Sequence, residues 1–149
     1  MTSSYTIVII LLVSVCYGQR CVLPAGESMR EGDVMVSPNG GYFFRLLDNG
    51  NAALYLSPHT VDANRLFQTH TINKGSNGSR TLTMQVDGNL VLYTNGQPIW
   101  ASNTKGRGAG GYYLQIQDDA NLVIYDKNAK AIWASNTVRV WYWLVIWYY

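Results

Sequence analysis

QVDGNLVLY, residues 85–93, returns as QDDANLVIY at residues 117–125. Both copies carry Gln, Asp, Asn, Val and Tyr at alternate positions, while the residues between them vary. Leu82, Met84 and Val86 alternate with Thr81, Thr83 and Gln85, and Leu90 and Leu92 with Asn89, Val91 and Tyr93. Such a period of two marks a half-buried strand. In one straight strand, Gln85 and Tyr93 would stand about 26 Å apart, beyond the reach of a single small ligand. Asp87-Gly88, however, is a hairpin turn signal. A turn there folds Gln85 back beside residues 89–93. One face of the hairpin then carries Thr83, Gln85, Asn89, Val91 and Tyr93, with Asp87 at the bend. The other face sends Leu82, Met84, Leu90 and Leu92 to the core. Asp119-Ala120 is a weaker turn in the later copy, with the same facial pattern.

The repeat is longer than nine residues. Tyr93 is followed by TNGQPIWASNT, and Tyr125 by DKNAKAIWASNT. A degenerate further copy, LDNGNAALY, occupies residues 47–55, so the three repeats in chain order are at 47–55, 85–93 and 117–125. It keeps Asn51 and Tyr55, but has Leu47 for Gln, Asn49 for Asp and Ala53 for Val. Phe67 then falls near the place of Trp100 and Trp133, after a longer loop containing Pro58. Three copies of one β unit predict an all-β fold built by repetition. No stretch after residue 19 has a helical period.

A chain of 149 residues suffices for one domain with a core. The net charge is +2 and 13% of residues are charged, which offers no electrostatic footprint for nucleic acid. Residues 7–15 form an apolar run of signal-core length, followed by small residues suited to cleavage. Residues 1–18 are therefore expected to be a signal peptide, although the first five lack the usual Lys or Arg, and the protein to be secreted and extracellular. Removal of the leader takes Cys16 with it. Cys21 then either sits at a flexible terminus or joins two chains, and an interchain disulfide at Cys21 is the preferred expectation. His59 and His70 are isolated, so neither they nor the cysteines build a metal site, and no cofactor is expected. Asn77-Gly78-Ser79 is an N-glycosylation sequon at Asn77.

Gln and Asn both donate and accept, Asp accepts strongly, and Tyr adds a hydroxyl. With Val as a small apolar contact, this set suits a hexose. Q-x-D-x-N-x-V-x-Y resembles the signature of the bulb-type (monocot mannose-binding, snowdrop-agglutinin-like) lectins. The resemblance covers residues 23–137, including the segment AGESMREGDVMVSPNGGYFF at 25–44 and the two IWASNT tails. It implies a β-prism of three four-stranded antiparallel sheets around a pseudo-threefold axis, with Trp100, Trp133 and Phe67 at the centre. It also implies metal-independent binding of α-D-mannose and mannose-containing, high-mannose glycans, and no enzymatic activity. Gln85 and Gln117 would bond the 3-hydroxyl. Asp87 with Asn89, and Asp119 with Asn121, would read the axial 2-hydroxyl. Tyr93 and Tyr125 would reach the 4-hydroxyl, and Val91 and Val123 would touch ring carbons. The site at Asn49, Asn51 and Tyr55 is expected to be dead or very weak. The internal disulfide usual in plant members has no cysteine pair here.

Residues 138–149, VRVWYWLVIWYY, form an apolar aromatic tail too short to span a bilayer. Three readings stand open: a strand exchanged between subunits of a homodimer, an interfacial membrane anchor, or sequence beyond the true C-terminus. The lectin domain is placed at residues 19–137. A role in defence against microbes is one expectation. The alternative is a β-prism interaction protein with inactive sugar sites. Asp87 and Asp119 sit in separate repeats, an odd place for a catalytic acid–base pair.

Overall fold

The computed structural model describes residues 16, 18–75 and 78–139. Most of the expected leader, the sequon residue Asn77 and residues 140–149 of the tail lie outside the described residues. Twelve short strands, numbered in chain order, form three antiparallel sheets of four. One sheet runs β1 (Val22–Pro24), β10 (Tyr113–Ile116), β11 (Leu122–Tyr125), β12 (Ala131–Ala134). The second runs β2 (Ser28–Arg30), β7 (Arg80–Met84), β8 (Leu90–Thr94), β9 (Gln97–Ala101). The third runs β3 (Val34–Val36), β4 (Phe43–Leu46), β5 (Ala52–Tyr55), β6 (Arg65–Gln68). The only helical turn among the described residues is a 3-10 turn at Asp62–Asn64.

Each repeat thus supplies three consecutive strands, and the segment before the first repeat supplies the fourth strand of every sheet. Val22 pairs with Gln115, Ser28 with Thr83, and Val34 with Arg45. One short N-terminal stretch therefore ties all three repeats together.

The core follows from the alternation. Leu82, Met84, Leu90 and Leu92 are at most 1% exposed, as are Phe44, Leu46, Ala52 and Leu54, and Leu114, Ile116, Leu122 and Ile124. Each of the N-terminal edge strands β1, β2 and β3 adds one fully buried side chain: Leu23, Met29 and Met35. Full burial of such a residue is worth about 1.5–3 kcal/mol and asks only for apolar bulk. That is why Leu92 and Ile124 can hold equivalent places. Val86 breaks the run: it is 76% exposed, because the strand has already ended in the turn. On the axis, Phe67, Trp100 and Trp133 meet edge to face, with centroids 5.7–6.4 Å apart and ring planes at 72–78°. This geometry suits the ring quadrupoles and seals the centre of the prism.

Cys21 corrects the sequence expectation. It is fully buried in the core and forms a disulfide with Cys16 of the same chain. Its carbonyl accepts from Ile116 N–H, so the sulfur is held inside the first sheet. While Cys16 is present, the Cys21 sulfur is taken up within the chain and not by a second subunit, and cleavage before Gln19 would remove that partner.

Asp126, beside the end of β11, accepts backbone N–H bonds from Ala109 (2.9 Å), Asn128 (2.9 Å) and Lys130 (3.1 Å). Burial alone would raise its pKa. The three donors, helped by the Lys130 charge, outweigh burial and hold the carboxyl below its ordinary value. A lowered folded pKa stabilises the protein above the unfolded value of about 3.9. That contribution is lost as pH falls through the folded value. Asp126→Asn is expected to lower stability at neutral pH and to flatten the acid limb below about pH 4. Urea unfolding midpoints across pH would measure both effects.

Candidate functional site

Gln85 and Asn89 face each other across a three-residue loop. Gln85 N–H donates to Asn89 O (2.9 Å), and Gly88 N–H donates back to Gln85 O (3.1 Å). Gly88 has φ +89°, the left-handed residue that completes this kind of hairpin. The later copy closes the same way, with Ala120 at φ +71°. The expected turns therefore form in both copies, and they bring the motif residues together on one sheet face.

The polar groups are fixed before any ligand arrives. Gln85 Nε2 donates to the Tyr93 hydroxyl at 2.6 Å, and Gln117 Nε2 to the Tyr125 hydroxyl at 2.8 Å. Asp87 Oδ1 accepts from Asn89 N–H (3.1 Å), and Asp119 Oδ1 from Asn121 N–H (3.0 Å). These bonds leave the same set pointing outward in each copy. Tyr O–H and Asn Nδ2 can donate, and Gln Oε1 and Asp Oδ2 can accept. Val91 and Val123 are 4% and 2% exposed, so each offers only a sliver of apolar floor.

The two copies differ at their margins. Lys105 Nζ stands 3.6 Å from Asp87 Oδ2, an exposed pair of little energetic weight. Tyr113 stacks on Tyr125 with centroids 5.5 Å apart, where the second repeat has Thr81 opposite Tyr93.

The IWASNT tails bond the motif Asn of each copy. Ser102 Oγ donates to Asn89 Oδ1 (3.1 Å) and accepts from Leu90 N–H (2.9 Å), and Thr104 N–H also donates to Asn89 Oδ1 (3.2 Å). Thr104 Oγ1 donates to Gly88 O at 2.6 Å. Ser135 and Thr137 repeat all four contacts around Asn121 and Ala120. Thr69 and Thr71 make them around Asn51 and Gly50. The residue between each pair, His70, Asn103 or Asn136, has φ of 56–58°. The motif Asn thus spends its carbonyl oxygen on closing the repeat and keeps only Nδ2 for a ligand. The sequence shows the repeated Ser-Asn-Thr string but not its partner. The unit also runs past Thr137. Arg139 N–H donates to Asp119 O (2.7 Å), just as Gly106 N–H does to Asp87 O (2.7 Å) and Asn73 N–H to Asn49 O (2.9 Å).

In the first repeat, Asn51 N–H still donates to Asn49 Oδ1 (3.0 Å). Tyr55, however, is only 2% exposed, and Leu47 supplies no polar atom. The tyrosine hydroxyl and the Gln amide are both lost from this face.

A prism of three four-stranded sheets with a repeated polar hairpin face has counterparts among known proteins. A monomeric monocot mannose-binding lectin from Gastrodia elata superposes with a TM-score of 0.69 at 39% identity, over 80% of this chain and 99% of that one. The mannose-specific agglutinin of snowdrop (Galanthus nivalis), solved with methyl-α-D-mannoside, gives 0.62 at 32% identity over 80% and 99%. The B-type lectin plumieribetin of Scorpaena plumieri is 38% identical over 81 residues, 51% of this chain and 69% of that protein. This chain belongs to the bulb-type lectin family. Its match spans about half the length of the first curated relatives, 40–56% of each. No family model matches the chain.

Proposed function

We propose that the protein is a secreted lectin. It binds α-D-mannose on high-mannose glycans through the second and third repeats, without a metal ion and without catalysis, in recognition of microbes. Two sheets of one chain hold the same Gln, Asp, Asn and Tyr in the same bonded arrangement, with the same donors and acceptors left outward. That coincidence supports a common ligand with adjacent hydroxyls. Asp and Asn are joined by the bond from Asn N–H to Asp Oδ1, and Asp Oδ2 with Asn Nδ2 suits one hydroxyl that both accepts and donates, the axial 2-hydroxyl. Gln Oε1 suits the 3-hydroxyl and the Tyr hydroxyl the 4-hydroxyl. Four or five net bonds of about 0.5–1.5 kcal/mol each, less ordering costs, support an affinity of order millimolar per site. Two sites on one body then favour glycans with several mannose ends. The signal-like segment before Gln19 supports secretion.

Titration with methyl α-mannoside, followed by amide NMR with and without EDTA, tests this reading. Two sets of shifts, at residues 85–93 and 117–125, are expected to saturate in the millimolar range and to ignore EDTA. Asp87→Ala is expected to remove the first set, leave the second and halve the stoichiometry. Unchanged stoichiometry in that variant, or silence from a folded protein, would overturn the site assignment.

A further inference from the structure

The first repeat carries a feature that no mannose site explains. At the position of Thr83 and Gln115 in the other two sheets stands Arg45. Its neighbours across the sheet are Val34 on one side and Ala53 on the other. Thr83, by contrast, bonds Ser28 across the sheet at 2.8 Å. Arg45 is half-buried, and among the described residues no carboxylate forms an ion pair with it. Its Nε is shut off from solvent without an acceptor, an expense that native structures rarely leave uncompensated.

Arg45 also lines a cleft of about 290 Å³ with Gly32, Leu46, Leu47, Asp48 and Thr60. Thr60 comes from the long connection between β5 and β6, which the other repeats shorten to a tight turn or small loop. The insertion and the arginine therefore meet over one face. Leu47 for Gln and Ala53 for Val, two of the three changes in the motif, make that face more apolar and roomier.

We propose that this cleft binds an acidic monosaccharide, with its carboxylate on the Arg45 guanidinium. The planar fork of an arginine matches a carboxylate and is not consumed by a protein partner. Asp48, exposed at the rim and not paired with Arg45, would repel a bare anion but accepts sugar hydroxyls. Thr60 adds a second hydroxyl contact, and Leu47 meets the C–H face of the ring. An arginine and a carboxylate lining one cleft thus select a molecule that carries both an acid and hydroxyls. A uronic acid is such a molecule, and neither neutral mannose nor a simple oxyanion is. Through this cleft the lectin would read acidic glycans independently of its second and third repeats.

The test follows the Arg45 Nε–H and the amides of residues 45–48 by NMR while methyl β-glucuronoside is added to the whole protein. Methyl β-glucoside and inorganic sulfate serve as matched probes. Saturable shifts with the glucuronoside alone are expected, weakened at least about tenfold in Arg45→Gln. The amide spectrum of Arg45→Gln, and its response to methyl α-mannoside at residues 85–93 and 117–125, are expected to match the parent, which separates this cleft from the mannose sites. The proposal fails if the glucuronoside leaves Arg45 unmoved. It fails equally if the glucoside or sulfate acts as strongly, or if Arg45→Gln binds as well as the parent.

Discussion

Gly88→Ala is expected to destabilise the protein by about 2–4 kcal/mol, read from urea unfolding, and to silence the second repeat in mannoside titrations. Two costs add. The φ of +89° strains any L side chain by about 1–2 kcal/mol. The added Cβ would also lie 2.8 Å from the ring of Tyr112, which is itself only 6% exposed and cannot move freely. The third repeat separates these terms, because Ala120 already occupies the same left-handed position and is fully buried there. Ala120→Gly should therefore change stability by no more than about 1 kcal/mol, relief of strain being offset by a looser unfolded chain. A similar small effect for Gly88→Ala would mean that Tyr112 does not brace the turn. Asp87 and Asn89 flank the strained residue, so any shift of the turn separates the two groups proposed to address one hydroxyl.

Why the turn was legible in the sequence and its support was not is itself physical. The hairpin is local: alternation and a Gly at the bend encode it within nine residues. Tyr112 comes from a different repeat, and nothing in its neighbourhood announces a partner at residue 88. The edge strands were hidden for the same reason. Three-residue strands such as Val22–Pro24 have no readable period, and their partners lie far along the chain. The buried place of Cys21 is likewise set by pairing of β1 with β10, which its position near the expected mature terminus does not announce. Arg45 stands two residues before the nine-residue motif and was passed over because the motif drew the comparison. The replacement of Gln by Leu47 and of Asp by Asn49 in the first site was readable directly. The burial of Tyr55 at the start of a long connection was not.

Asn89→Ala should have a double effect that Asp87→Ala lacks. Both substitutions are expected to abolish mannoside binding at the second repeat, since each removes one of the groups proposed for the 2-hydroxyl. Only the loss of Asn89 also takes the shared acceptor from Ser102 Oγ and Thr104 N–H. Those donors sit against buried backbone, and Thr104 is fully buried. Stranding them costs about 1–3 kcal/mol, whereas the backbone N–H that Asp87 accepts can turn to water. The same reasoning explains a puzzle of the first repeat. Its Gln and Asp have been replaced and its Tyr is covered, yet Asn51 persists, 1% exposed, accepting from Thr69 Oγ1 (3.1 Å) and Thr71 N–H (3.3 Å). In that repeat the contacts of the residue account for its presence without a ligand. Asn51→Ala is therefore expected to destabilise the protein by about 1–3 kcal/mol in urea while leaving mannoside stoichiometry at two. Full stability in Asn51→Ala would show that the clamp is decorative and that ligand binding explains the motif Asn everywhere. A lost mannoside site would show instead that the first repeat binds after all.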